Sequence, residues 1–414
     1  MFLPLPTPLA MNSATSSPTS DAIPSASEAL REQYVRPGDV MSVLLILGAD
    51  VVQRALAQLS GSPLTPVAFS FGWVTYAIGA LLAAVGDNKL IPLPDSPGFV
   101  INSKSPYTRQ NCSWILGRII RDYEHWRHPK IRRMETEFLA KEGRIGLTVA
   151  IYTASRSKTA GVPDRDWLYY SGLLCAVFQL GIAAIPWAMW SDWSILMTTA
   201  IGITFAFASG SLPQWKVEKY QCRRNTDKTV ILTRGNGHNN GCIVVIGDKV
   251  GLDLEDLAGG RRAEIDMTHT RVYTSIMALL WTALLIGVSG LKENPWFLLV
   301  IGVVGMIQNV IVCGAPRKPG AFGVHLEFVE AIVEKKVMKA LQVLEEKYTD
   351  VGSALVDTYF PGGRLFPDEK QYWKKVDNER QAKLIAKLAK RAAQAAQASQ
   401  VPQDSPDLQA PPAV

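Results

Sequence analysis

Cysteine and histidine, the side chains that most often announce a metal or redox centre, are scarce in this 414-residue chain, with five of each. Cys112, Cys175, Cys222, Cys242 and Cys313 form no C-x-x-C pair, so the sequence predicts reduced thiols and neither a zinc site nor a disulfide framework. His125 and His128 stand three apart and could share an ion on one helix face, but no clear third ligand accompanies them, and no metal or other cofactor is expected. A nucleotide cradle is excluded in the same way. The segment Arg234-Gly235-Asn236-Gly237-His238-Asn239-Asn240-Gly241 has no Gly-Lys-Ser/Thr ending and is followed by a strand pattern, not a helix. Basic residues are missing ahead of Met1-Phe2-Leu3-Pro4-Leu5-Pro6, whose prolines also interrupt its apolar stretch, so no cleaved signal is expected; Met11 is an alternative start.

The most informative absence is of charge. Thr65–Gly86, Leu168–Trp190, Ile195–Leu212, Val272–Leu291 and Trp296–Gly314 contain no Asp, Glu, Lys or Arg. Each is long enough as a helix to cross a hydrocarbon core of about 30 Å. Unpaired backbone groups cost several kcal/mol each in lipid, so each run is expected to be an α-helix. A sixth run, Val40–Leu59, carries Asp50 and Arg54 four residues apart on one face. Either charge at a helix centre costs about 2.5–3.5 kcal/mol on insertion scales. The pair is therefore expected to meet inside a bundle if this run spans, or to sit at the membrane surface if it does not. The short Ser60–Leu64 connection to the next run favours a spanning hairpin.

Charge then sets the orientation. With six spans, Lys and Arg number 2 before the first, 14 in 87–167, 10 in 213–271 and 15 after the last, while the three short turns hold 0, 0 and 1. Basic residues near spans stay cytosolic, so both termini and both long loops are expected in the cytosol. The net charge of +6 lies on that side, where it would meet anionic lipid. Acidic residues interleave with the basic ones along the membrane-bordering loops, which argues against nucleic acid as a partner.

The expected architecture is an α-helical multi-pass membrane protein with about six transmembrane helices, a small α+β cytosolic module built from two long loops, and a helical C-terminal tail. Its parts are a Ser/Thr/Pro-rich disordered tail over 1–38, a first transmembrane hairpin over 39–86, a cytosolic loop over 87–167 and a second hairpin over 168–212. A second cytosolic loop over 213–271, a third hairpin over 272–314, amphipathic helices over 315–400 and a loose end over 401–414 complete it.

In the first loop Ile115, Leu116, Ile119, Ile120, Tyr123 and Trp126 recur at helical spacing among Arg118, Arg121 and Arg127, which suits a helix in the headgroup layer or a core helix of a cytosolic domain. Thr229–Thr233 and Cys242–Ile246 bracket the Gly/Asn-rich turn and predict a hairpin. Isolated hairpins are marginal in water, so Ile145–Tyr152 is expected to join it as a third strand. Gly251-Leu252-Asp253-Leu254-Glu255-Asp256-Leu257 gathers three carboxylates, read first as the capped start of a helix. Membrane prenyltransferases hold magnesium diphosphate on paired aspartate-rich motifs, and a second such motif is lacking here. Arg234, Asn236, His238, Asp253, Glu255 and Asp256 are the ligand-loop candidates.

Beyond the last run, Val333, Val337, Leu341, Leu344, Tyr348, Val351 and Leu355 trace an apolar stripe that must bury on the cytosolic loops, the bilayer surface or a second copy. Pro361-Gly362-Gly363 separates it from a basic helix over Asp368–Gln400, suited to an anionic membrane surface or to plain solvation.

Ser96-Pro97-Gly98-Phe99-Val100-Ile101-Asn102, Asn111-Cys112-Ser113-Trp114-Ile115-Leu116-Gly117-Arg118, Gln214-Trp215-Lys216-Val217-Glu218-Lys219 and Leu232-Thr233-Arg234-Gly235-Asn236-Gly237, with Gly251–Ala258 after them, resemble a family of multi-pass membrane proteins of filamentous fungi. The resemblance covers roughly residues 38–360 and implies a membrane protein, with no activity, substrate or catalytic residue attached.

Three functional classes remain. A non-enzymatic organising or regulatory protein comes first, with a protein partner or second copy docking through the C-terminal helix. A transporter or channel is second, with Asp50, Arg54, Gln179, Gln308 and Asn309 lining a polar path. An intramembrane enzyme is third.

Overall fold

A computed structural model describes residues 48–86, 89–105, 107–236, 241–260, 268–291 and 294–398. The expected tails over 1–38 and 401–414, the first part of the Val40–Leu59 run and His238 lie outside the described residues. Among the described residues the chain is mostly helical with a small sheet, and four helical runs there are long and apolar enough to cross a membrane. They are α6 (Trp167–Trp190), α7 (Ser194–Gly210) running on into α8 (Pro213–Lys219), α10 (Thr268–Ser289) and α11 (Pro295–Gly314). At 1.5 Å per residue, α11 alone covers about 30 Å.

The Thr65–Gly86 run departs from expectation. Residues 65–72 form no helix, and only α2 (Trp73–Gly86) is helical, 14 residues or about 21 Å long. Thr65–Phe71 is irregular backbone without helix or strand, buried among the long helices. Both its flanks leave on one side. Thr65 lies against Gly210 at the end of α7, and at the other end Ala84 O accepts from Arg271 Nε at 3.1 Å, near the start of α10. The segment dips into the bundle and returns, so the run is not one spanning helix. Apolar composition alone cannot separate these cases, because a buried irregular chain and a lipid-facing helix are equally apolar.

The preceding helix, α1 (Ala49–Leu59), packs along α11 and α2. Its C-terminal carbonyls face Lys219 and Arg317, beside the loops. The Ser60–Leu64 connection therefore lies on the loop side, where Ser60 O accepts from Lys219 Nζ at 2.6 Å, and not on the opposite side as the hairpin reading required.

The loops and the C-terminal segment build one module around a six-stranded sheet in the order β2-β1-β5-β6-β3-β8. The strands are β1 (Phe99–Asn102), β2 (Thr108–Gln110), β3 (Leu147–Ala154), β5 (Thr229–Thr233), β6 (Gly241–Ile246) and β8 (Leu326–Glu334). A separate two-stranded ribbon joins β4 (Arg224–Thr226) to β7 (Gly251–Leu252). The hairpin forms with Thr229 opposite Ile246 and Thr233 opposite Cys242, and β3 joins β6 in parallel, pairing Thr148 with Gly241 and Thr153 with Ile246. A parallel pair needs a crossover, which here runs out and back along α6 and α7.

Both sheet faces are covered. One carries α3 (Trp114–Arg121), whose Ile115, Leu116, Ile119 and Ile120 pack with Val100, Leu232 and Phe322. Trp114 through Ile120 are all buried, so α3 packs as a core helix of the module. The other face carries α12 (Val337–Lys347), α13 (Val351–Tyr359) and the first turns of α14 (Pro367–Ala398). The apolar stripe is thereby divided. Val333 sits in β8, and Leu341, Leu344, Val351 and Leu355 bury against Val149, Ile151 and Val244, so the module itself covers the stripe. The first loop also contributes α4 (Tyr123–Trp126) and α5 (Pro129–Glu142), which ends at Gly143 with φ +75°, a left-handed cap that glycine adopts without strain.

Candidate functional site

Two sites gather polar groups where they must be paired: the buried segment within the bundle, and the joint between bundle and module. In the first, Asn309 of α11 clamps Ala68 from both sides, its Oδ1 accepting from Ala68 N at 3.2 Å and its Nδ2 donating to Ala68 O at 3.0 Å. Gln179 of α6 donates through Nε2 to Phe69 O at 2.7 Å and to Ile301 O at 2.9 Å. Trp73 Nε1 adds a bond to Ala68 O at 2.9 Å, and its ring stacks on Trp281 of α10 at 5.4 Å. Irregular backbone is tolerated at membrane depth only when protein groups complete its hydrogen bonds, and these two amides supply them.

Glycine makes the close approach possible. A Cβ on Gly305 would collide with the Phe69 carbonyl oxygen, and one on Gly172 with the Pro66 carbonyl oxygen. The faces of α11 and α6 thus meet the segment backbone to backbone.

Of the five polar-path candidates, three bond to other protein groups and two to each other. Gln179 and Asn309 are fully buried and engaged with backbone, and Gln308 Nε2 donates to Ser171 Oγ at 2.7 Å, between α11 and α6. Asp50 and Arg54 do pair, Nε to Oδ1 at 3.0 Å, but their side chains are 68% and 42% exposed, so they meet on the protein's surface and not within the bundle. A small cavity inside the bundle is lined by Tyr76, Leu90, Ser209, Trp215 and Thr274, and by none of these five candidates.

At the joint, the ends of three helices are met by opposite charge. Arg118 Nη1 donates to Cys313 O at 2.7 Å and Arg121 Nη2 to Gly314 O at 3.3 Å, capping the C-terminus of α11 from α3. The C-terminus of α1 is capped by Lys219 Nζ, which donates to Ala57 O at 2.8 Å, and by Arg317 Nη1, which donates to Gln58 O. Arg317 also forms a bidentate pair with Asp166 at 2.7 and 2.9 Å, while Asp166 Oδ1 accepts from Tyr169 N at the start of α6. Cations at helix C-termini and carboxylates at N-termini complement the macrodipole. Asp95 and Asp122 complete the charge balance, Asp95 against Arg118 at 3.1 Å and Asp122 against Arg121 at 2.6 Å. Burial pushes the Arg118 guanidinium down to about 10, which leaves it protonated at neutral pH. Of these residues the sequence marks Arg118 and Arg121 as part of an amphipathic pattern, and Lys219 within a stretch that carries the family resemblance. Arg317 three residues past α11 and Asp166 directly before α6 are the signals that were there to be read.

The acidic cluster is a structural latch. Asp253 caps α9 (Leu254–Gly259) by accepting from Asp256 N at 3.1 Å, and Lys228 Nζ lies 2.8 Å from both Asp253 and Glu255. Glu255 further accepts from Asn102 Nδ2 at 2.7 Å and Arg109 Nε at 3.3 Å. Burial would raise its pKa, but the bonds from Lys228 and Asn102 prevail and hold it below the ordinary value. Arg223 binds Asp256 in bidentate fashion at 2.6 and 2.9 Å and likewise lowers its carboxyl. Arg234 Nη2 donates to Ile120 O and Asn236 Nδ2 to Tyr359 O, both at 3.1 Å, so the turn's first residues pack on α3 and α13. His128 Nδ1 accepts from Lys130 N at the start of α5, and its ring stacks on Phe328. Among the described residues no group of three or more His, Cys, Asp or Glu side chains is arranged to hold a metal ion.

No protein-family model, curated protein or solved structure matches this chain.

Proposed function

We propose that this chain is a multi-pass membrane platform whose α/β module organises or regulates partners at the cytosolic face, without itself catalysing a reaction. The joint carries this reading. Arg118, Arg121, Lys219 and Arg317 fasten the module's elements to the ends of α1, α6 and α11, so the module is held as an extension of the bundle. A transporter needs a polar route, whereas Gln179 Nε2 and both polar atoms of the Asn309 amide are bonded to backbone. The cytosolic placement rests on the basic residues of 87–167, 213–271 and the C-terminal segment, which also favour anionic lipid beside the module. The remote part of α14, where Ile385 and Leu388 are exposed, is the natural contact for a protein partner or a second copy. Kinship with the fungal membrane proteins it resembles belongs to the same proposal.

The test is a flux measurement on the purified chain in sealed vesicles. Ion and small-solute flux should equal that of protein-free vesicles. Flux above that level, abolished by Asn309→Leu in protein that still inserts, would overturn the platform reading in favour of transport.

A further inference from the structure

α14 changes character at Arg380. Up to that residue it belongs to the module: Trp373 is buried with its Nε1 3.2 Å from Met338 Sδ, Tyr372 and Val376 pack in the same cluster, and Arg380 pairs with Asp350 at 3.2 Å and donates to Lys104 O. Beyond it the helix continues over residues 381–398, about 27 Å, with Ile385 and Leu388 exposed. The charge pattern switches at the same place. Residues 367–379 mix Asp368, Glu369, Asp377 and Glu379 with Lys370, Lys374 and Lys375, whereas 380–403 hold Arg380, Lys383, Lys387, Lys390 and Arg391 and no Asp or Glu. A purely basic helix that leaves large apolar residues in water is complementary to an anionic surface.

Two features of this arm turn its contact from protein to lipid. A helix held in a protein groove is gripped by large apolar anchors spaced over several turns, at i, i+3 or i+4 and i+7. Here the large apolar residues end at Leu388, and every uncharged residue from Ala389 to Ala398 is Ala or Gln. A second copy of the arm would bring a purely basic segment against another. An anionic headgroup layer asks for neither a groove nor a long apolar stripe, because positive charge and a few side chains reaching past the headgroups suffice.

Position decides which bilayer is met. α3 lies between bundle and sheet, with Trp114 in the bundle's apolar cluster, Ile115 and Leu116 in the sheet's, and Arg118 on the end of α11. α12, α13 and the anchored part of α14 cover the opposite face of the sheet. The arm therefore starts on the side of the module turned away from the bundle. From these observations we infer that residues 381–398 dock on an anionic bilayer apposed to the one the bundle crosses, so that the chain joins two membrane surfaces. This docking presupposes the platform reading and names the surface the platform meets.

Flotation tests it. Full-length protein in nanodiscs of neutral phosphatidylcholine is mixed with vesicles of phosphatidylcholine containing about 30% phosphatidylserine, and the nanodiscs that float with the vesicles are measured. They should float with these vesicles and not with pure phosphatidylcholine, and should be released in about 1 M salt, where the Debye length is about 3 Å. Protein carrying Ile385→Glu with Leu388→Glu should lose flotation, whereas Met134→Glu with Leu139→Glu, the same charge change at exposed positions of α5, should float like wild type. Phosphatidylserine placed in the nanodiscs as well should leave flotation intact; its loss would show the arm folding back on its own bilayer and overturn the inference. So would absence of flotation by wild type, or equal flotation of wild type and the α14 variant. Wild-type nanodiscs that ignore the vesicles but are held by immobilised poly-L-glutamate, and released by the α14 changes, would assign the arm to an acidic protein instead. Failure of flotation with solute flux still at background refutes the docking alone, while flux above background refutes the platform reading itself.

Discussion

Replacing Gly305 by alanine tests the central packing claim most directly. The new methyl would meet the Phe69 carbonyl oxygen, a backbone atom that cannot swing aside, with Gln179 Nε2, itself bonded to Phe69 O and Ile301 O, 2.7 Å away. Relief requires Thr65–Phe71 to move off α11, which strains the Asn309–Ala68 clamp and the Gln179–Phe69 bond. Overpacking costs about 1–3 kcal/mol, and a buried hydrogen bond broken without replacement about 1–3 kcal/mol more. Against this, alanine gains up to about 1 kcal/mol over glycine within a helix. The net expectation is destabilisation of about 3 kcal/mol, a large share of the roughly 5–15 kcal/mol that folded proteins possess. Gly181→Ala on α6 is the matched control, because nothing lies within 4 Å of its would-be Cβ. Heating detergent-purified protein and following the monodisperse fraction by size exclusion should place Gly305→Ala well below wild type and Gly181→Ala at or above it. If the two variants lose solubility at the same temperature, the backbone-to-backbone contact does not exist.

Asn309→Leu leaves Ala68 N–H without its acceptor, at a cost of about 1–3 kcal/mol, and should lower membrane yield and thermal stability; wild-type behaviour would contradict the clamp. Asp50→Asn and Arg54→Gln should each change stability by less than about 1 kcal/mol, since the pair is exposed, and a strong loss in either single variant that the double restores would show the pair to be buried. The latch should loosen in acid. Asp256 is held below its ordinary value of 3.8, chiefly by Arg223, so the pair contributes stability above that value and loses it as pH falls through the lower folded-state pKa. Amide exchange in β4, β7 and α9 should therefore accelerate in that range for wild type but not for Asp256→Asn, and equal acid sensitivity in both would rule the pair out as the cause.

How much was legible in the sequence follows from which interactions are local. Charge-free runs of at least 18 residues at Leu168–Trp190, Ile195–Leu212, Val272–Leu291 and Trp296–Gly314 mark helices able to cross a membrane, because solvent preference and helical length are properties of the run itself. The Thr229–Ile246 hairpin was readable from β-rich segments around a Gly/Asn turn, and its third strand from the need of a hairpin for company. Asp253 as a helix cap was equally local. Tertiary structure decided everything that depended on what an apolar or charged residue faces. Thr65–Phe71 is irregular because Asn309 and Gln179, more than a hundred residues away, complete its backbone bonds and because Gly172 and Gly305 give it room. Arg118 is buried because the carbonyl end of α11 awaits it, and Asp50 and Arg54 are exposed and pair with each other on the surface of α1. Periodicity records that a residue prefers burial or water; only the assembled chain supplies the partner that satisfies it.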